Sequence, residues 1–246
     1  MNTPSLSIVI GTIGRPSLEW TLDSIAAQGL QGGDEVIVVR DSFEARDDKL
    51  HVRERVERYG DRFHYFEHDA GEHYFGIAQT NHGFGKVRGD FVCSLGDDDI
   101  YSAGAFETLR PVLAEDRDRA VLFQFLAPWR QVLWDRPRMR RSRISGQCIA
   151  APRAALVPMG TAHYVEVDFD WMQEILTRTG RAPAWLRELL VITRPELRNG
   201  QPITGALACG GCRRVIFHED AIEGRCCFCA PAAVVASSAA GMGAGA

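Results

Sequence analysis

The chain has 246 residues, a formal net charge of −4, 46% hydrophobic and 24% charged residues. That balance excludes a general electrostatic drive toward nucleic acid or anionic lipid, and no apolar run approaches the roughly 20 residues of a membrane span. The length allows one large domain or one domain with a small appendage, and MNTPSLSIVIG lacks a basic region ahead of a signal-type apolar core, so a cytoplasmic protein is expected.

LSIVI (6–10) is a continuous apolar run and reads as a buried strand, followed by turn chemistry in GTIGRPS. Leu18, Leu22, Ile25 and Ala26 recur at helical spacing, with Ser17 as candidate cap and Gly29 as stop. DEVIVVRD (34–41) is a second buried strand ending in Asp41. Residues 45–59 suggest a charged helix with Leu50, Val52, Val56 and Tyr59 inward, closed by Gly60. FHYFEHD (63–69) is a third strand, 76–88 a third helix, and GDFVCSL (89–95) a fourth strand. Ser102 is placed to cap a helix burying Ala105, Phe106, Leu109 and Leu113, in which Pro111 can introduce a kink.

The second half is less regular. AVLFQFL (120–126) and QVLW (131–134) look like a strand pair, followed by the basic WDRPRMRRSR (134–143). GQCIAAP (146–152) is a short strand, DFDWMQEILTRTG (168–180) an amphipathic helix with an acidic start, and LLVIT (189–193) a last strand. PAAVVASSAAGMGAGA (231–246) is a low-complexity tail expected to be structureless. Alternating strands and helices predict an α/β fold: a Rossmann-like, mostly parallel sheet with helices on both faces. Ligands of such sheets bind beyond the carboxyl ends of the strands. Here three of those ends carry GTIGR, RDS and GDDD.

Two features carry metal chemistry. Asp97, Asp98 and Asp99 stand adjacent at a strand end, where they repel one another unless a cation intervenes. Hard divalent cations such as Mn2+ or Mg2+ take carboxylate oxygens, and one held here could neutralise a departing diphosphate. A solvated acidic turn capping the next helix would look the same from the triplet alone. Near the C-terminus, Cys209, Cys212, Cys226 and Cys229 form CxxC-x13-CxxC, the spacing of a closed tetrahedral Zn2+ site. A short hairpin is expected between the two pairs, in a module with almost no core that the metal would fold. Cys227 is the spare thiol, and the module is a candidate docking point for a protein partner.

GTIGRP lacks the GxGxxG of a dinucleotide site, and no GxxxxGK[ST] occurs, so a nucleotide site of another kind remains. The pieces LSIVIGTIGRPSLEWTLDSIAAQ, DEVIVVRDS and NHGFGKVRGDFVCSLGDDDIYSAGAF, in that order, resemble the A-type glycosyltransferases of the large inverting family whose first strand reads SIVI. The likeness is strongest up to about residue 115. It implies a glycosyltransferase domain over 1–198, with a nucleotide-binding half 1–115 and an acceptor half 116–198; the cysteine spacing adds a zinc-ribbon-like module at 205–230, which the family does not require.

The resemblance also implies roles. Thr12, Gly14 and Arg15 would form the nucleotide loop. Asp41 would face the base or ribose, and Asp97 would also line the nucleotide. Asp98, with Asp97 and Asp99 beside it, would hold the catalytic cation. The family shows acid-x-acid-acid at this place, and Gly96 stands here for the first acid. An inverting transferase needs a base, drawn in this family from an acidic segment opening a later helix. EVDFDW offers Glu166, Asp168 and Asp170. Asp168 and Asp170 diverge by about 200° on a helix, so only one can face the site, and Asp168 is the first choice. Helix N-terminal acids favoured by the dipole would look alike. Arg140 and Arg143, in the basic stretch with Arg136, Arg138 and Arg141, are candidates for gripping diphosphate through bidentate forks. A solvated loop or a nucleic-acid contact is the other reading. Trp129 and Trp134 could stack on a sugar or base or serve in the core, and His64, His68, His73 and His82 read as solvated or core residues.

The donor expected from this is a nucleotide sugar, with the acceptor open. Two rivals stand beside it. A nucleotidyltransferase would need a more basic loop than GTIGRP. A non-catalytic binding module, recruited through the zinc ribbon, draws support from Gly96.

Overall fold

The computed structural model describes residues 3–42, 51–69, 76–127, 132–134, 136–141, 143–160 and 166–193, together with the backbone of 206–208 and 215–217. Its first half alternates β1 (Leu6–Thr12), α1 (Leu18–Ala26), β2 (Glu35–Asp41), α2 (Val52–Glu57), β3 (Phe63–His68), α3 (Ile77–Phe84) and β4 (Phe91–Gly96). Then come β5 (Asp99–Tyr101), α4 (Ala105–Glu115), β6 (Val121–Leu126), β7 (Val132–Leu133), β8 (Ile149–Pro152), α5 (Val167–Thr179) and β9 (Ala184–Thr193).

One sheet runs through both halves in the order β3-β2-β1-β4-β8-β6-β9-β5, with β7 on β6. The β3/β2, β2/β1, β1/β4 and β6/β9 ladders are parallel; the shorter β4/β8, β6/β8, β6/β7 and β5/β9 ladders are antiparallel. The sheet is thus mixed and mostly parallel. Every residue of β2, and all of β1 except Gly11, is buried. Successive side chains point to opposite faces, so both faces of these strands are covered. Val9, Ile37 and Val39 meet α3 at Gly83, where an added Cβ would stand 2.4 Å from Val9 Cγ1. α3 therefore lies closer to the sheet than any larger residue would permit.

A buried ion pair fastens the opposite end of the strands. Asp34 accepts from Leu6 N at 2.9 Å, Gln31 N at 2.6 Å and Arg110 Nη1 at 3.3 Å, while Arg110 also donates to Pro4 O at 2.8 Å. The guanidinium of α4 thereby ties the N-terminal strand to the entry of β2.

Several expectations are corrected. Ser17 makes no capping hydrogen bond, and α1 is entered through a turn. Gly104, not Ser102, precedes α4; the Ser102 hydroxyl donates to Leu189 O at 2.8 Å and ties α4 to β9. The strand expected at 189–193 begins at Ala184, five residues before Leu189, because β9 pairs in parallel with the whole of β6. β5, directly after the aspartates, pairs with the end of β9. The short strands β10 (Ala206–Ala208) and β11 (Val215–Phe217) form an antiparallel pair whose arms flank the first CxxC, where a hairpin between the two CxxC pairs was expected. Cys209, Cys212, Cys226, Cys227 and Cys229 lie outside the described residues, as do Trp129, His73 and the tail. Among the described residues, no helix is long and apolar enough to cross a membrane.

Candidate active site

The strand order sets the site. β2, β1 and β4 end at the same edge of the sheet, and β8, antiparallel to β4, begins there. Asp41, Thr12, the turn after Gly96 and the segment 146–148 therefore stand side by side. Three strand spacings put about 14 Å between the first and the last. The path reverses between β1 and β4, the switch point at which α/β sheets open a crevice. A cleft of about 490 Å3 lies there.

The centre of the cleft is acidic and held by the first loop. Thr12 Oγ1 donates to Asp97 Oδ2 at 2.7 Å and accepts from Gly14 N at 2.8 Å. Arg15 Nη1 donates to Asp97 Oδ1 at 3.1 Å and Asp98 Oδ2 at 2.8 Å. Gly14 has φ +86°, a left-handed turn that glycine adopts without strain. Behind the loop, Arg55 of α2 donates to Pro16 O at 3.1 Å. Burial pushes the Asp97 carboxyl above its ordinary range, with the Asp98 charge adding to that; Thr12 and Arg15 pull the other way.

Asp97 and Asp98 line the cleft, and Asp99 does not. Its Oδ2 accepts from Gly96 N at 2.9 Å, folding the turn back on itself. This explains the glycine. A Cβ on residue 96 would stand 2.7 Å from Asp99 Oδ2 and 2.9 Å from Asp98 Oδ1. The place of the first acid in the resembled motif is filled by the carboxylates of its neighbours.

α5 supplies the third carboxylate. Asp168 lines the cleft, accepts from Ser145 Oγ at 3.2 Å and from the Gly146 backbone N–H, and burial pushes its carboxyl above the ordinary range. Glu166 and Asp170 point elsewhere, both to Arg141, which is 3.0 Å from Asp170 and stacks its guanidinium 4.7 Å from the Phe169 ring. Arg141 thus holds the two outward acids aside and leaves Asp168 facing the cleft. Arg140 and Arg143 do not line the cleft. Trp134 is a core residue, its indole N–H donating to Phe123 O at 2.8 Å. His68 stacks on His82 with ring centroids 4.6 Å apart; His64 lies 3.9 Å from Glu35.

Sequence reasoning missed the wall formed by Gly76, Gln79 and Thr80, by Ser94, and by Gly146, Gln147 and Met159. Met159 is placed by Asn81 of α3, whose amide donates to Met159 O at 2.9 Å and accepts from Met159 N at 2.7 Å. Polar residues at 79–81 of an otherwise apolar helical face were the available signal.

Fold and cleft define an α/β protein with carboxylates gathered at a topological switch point, a site suited to a phosphate-bearing ligand and a cation. Residues 7–176 match the family model for glycosyl transferase family 2, and the chain belongs to that family. Among solved structures it is similar to S. aureus TarS residues 1–349, at 13% identity and a TM-score of 0.60, over 78% of this chain and 61% of that one. The same TarS segment in complex with UDP-GlcNAc gives a TM-score of 0.54 at 13% identity, over 77% and 58%. The mannosyltransferase PcManGT from Pyrobaculum calidifontis, in complex with GDP-Man and Mn2+, gives 0.56 at 19% identity, over 80% and 59%. The chain thus spans about three-fifths of the length of these structures. Comparison with curated protein sequences finds no match.

Proposed function

We propose that this chain transfers a sugar from a nucleoside-diphosphate sugar to an acceptor hydroxyl, with inversion at the anomeric carbon. The observation that carries this reading is the facing pair of Asp97–Asp98 and Asp168 across one cleft. The acceptor oxygen attacks the anomeric carbon while the bond to the diphosphate breaks and its electron pair leaves with the diphosphate. Asp168 takes the acceptor's proton. Its raised affinity for that proton, caused by burial, suits a general base. Thr12 and Arg15 orient the diphosphate, and Asp41 lies at the nucleoside end.

A divalent cation fits Asp97 and Asp98. Their oxygens converge on one donor, Arg15 Nη1, at 3.1 and 2.8 Å. No cluster of three or more acidic, cysteine or histidine side chains suited to a metal occurs among the described residues. Two carboxylates completed by substrate phosphates are the usual arrangement for Mg2+ and related ions. Such an ion would offset the charge on the leaving diphosphate. Titration-linked melting with UDP, GDP and their sugars, with and without Mn2+, tests the reading. Manganese-dependent stabilisation that vanishes in Asp98→Ala supports it. No shift with any nucleotide in a folded sample refutes it.

The CxxC-x13-CxxC spacing supports a structural Zn2+ held by Cys209, Cys212, Cys226 and Cys229, with the module offering a protein partner a docking point. Metal content measured before and after chelation tests this. A cytoplasmic location belongs to the same reading.

A further inference from the structure

Gln79 is 1% exposed and lines the cleft, yet its Nε2 has no hydrogen-bond partner among the described residues. Other buried side-chain atoms share that condition, but none of them belongs to a residue that lines the cleft. A buried donor left unpaired forfeits its hydration without return, so such a donor on a residue in the wall of a ligand cleft points to an acceptor on the ligand.

The helix fixes which part of the ligand. Gln79 is four residues before Gly83, which backs onto Val9, Ile37 and Val39, and three before His82, which stacks on His68 of β3. Residues at those spacings share a helix face. Gln79 therefore leans toward the β2–β3 side, where Asp41 ends β2. Thr80, four before Phe84, leans toward α5, since Phe84 stacks on Trp171 at 5.4 Å. Nothing bulky intervenes at β1: a Cβ on Gly11 would stand 3.4 Å from Gln79 Cβ. The diphosphate belongs with Arg15 and Asp97–Asp98, and the transferred sugar with Asp168. The end shared by Asp41 and Gln79 is left for the nucleoside.

We infer that Gln79 selects the nucleobase, donating from Nε2 to a ring carbonyl while Asp41 accepts the adjoining ring N–H. Uracil and guanine carry that carbonyl beside an N–H. Adenine and cytosine carry an amino group in its place, which would set donor against donor. This rests on the nucleotide-sugar reading above.

The test is calorimetric titration of the full chain with UDP, GDP, ADP, CDP and pyrophosphate in the presence of Mn2+, for the wild type, Gln79→Met and Gln79→Glu. The wild type is expected to bind UDP or GDP about ten- to a hundredfold tighter than ADP and CDP. In Gln79→Met that advantage falls by about tenfold, to the share that Asp41 supplies through the ring N–H, pyrophosphate binding is unchanged, and the melting temperature does not fall, because an unpaired polar group has been replaced by an apolar one of similar shape. Gln79→Glu, with acceptors in place of the donor, shifts preference toward the amino-bearing bases. Nucleotides that bind without base preference, or a preference that both substitutions leave undiminished, overturn the inference and leave the transferase reading standing. Equal weakening of all ligands with a lowered melting temperature makes Gln79 a structural residue and also overturns it. A folded wild type that binds none of the five ligands removes both readings together.

Discussion

Asp168→Asn separates the chemistry of the site from its architecture. The substitution keeps the side chain's shape and one accepting oxygen, but removes the proton acceptor. Loss of a general base costs about 10²–10⁴ in rate, or about 2.7–5.4 kcal/mol of transition-state stabilisation. Stability should move the other way. Folding raises the Asp168 pKa above its ordinary carboxylate value, chiefly by burial. Between the unfolded and folded values the native state binds more protons, so wild-type stability falls as pH rises through that window. Each unit of elevation is worth about 1.4 kcal/mol at neutral pH. Asparagine has no proton to lose, so the variant's advantage in melting temperature should grow from pH 3.5 upward and then level off. Release of nucleoside diphosphate with water as acceptor, in Mn2+, reads the activity; thermal melts from about pH 3.5 to 8 read the linkage. Activity within about threefold of wild type, or a melting difference that is flat in pH, would refute the reasoning.

Three further outcomes are expected. Gly83→Ala drives a methyl to within 2.4 Å of Val9 Cγ1 and 3.3 Å of Val39 Cγ2 and should cost about 1–3 kcal/mol in chemical denaturation. Arg110→Ala strands the buried Asp34 carboxylate and should cost about 3–5 kcal/mol, lowering the denaturation midpoint at unchanged slope. Gly96→Asp restores the acid of the resembled motif but sets its Cβ 2.7 Å from Asp99 Oδ2 and 2.9 Å from Asp98 Oδ1. The new side chain must displace those carboxylates to fit, so manganese-dependent nucleotide stabilisation should shrink, as melting curves with and without the ion would show.

The buried strands β1, β2 and β4 were legible because strands covered on both faces read as unbroken apolar runs. The helices α1, α4 and α5 were legible from their 3.6-residue spacing. β5 was not: its three residues, Asp99-Ile100-Tyr101, begin with a carboxylate and look like the tail of a turn. The first half of β9 was hidden for a related reason, since Arg187 and Glu188 break the apolar run where the register shifts, between the Phe123–Leu186 and Gln124–Leu189 pairs. In the site, the aspartate triplet and the acidic opening of α5 stood out as charge against apolar flanks. Which aspartate turns inward did not, because that depends on the Gly96 N–H. Arg140 and Arg143 seemed equal to Arg141 in a basic run, and only the packed position of α5 singles out Arg141. Nothing in the sequence singled out Gln79; its burial follows from the close seating of α3 that Gly83 permits.

The pairing of β5 with the end of β9 also sets an order of assembly. Residues 99–101 follow the carboxylate turn directly, and their strand partners are residues 191–193. A growing chain can form the β1–β4 ladders early, yet the acidic turn gains its far support only when the segment some ninety residues later has left the ribosome. Contacts of such separation are slow to form because their loop entropy is met before they are rewarded. A truncated product ending before residue 184 would keep the sequence matched by the family over 7–176 and lack the strand that braces its carboxylates. The carboxylate turn is thus braced on its far side only once β9 has formed.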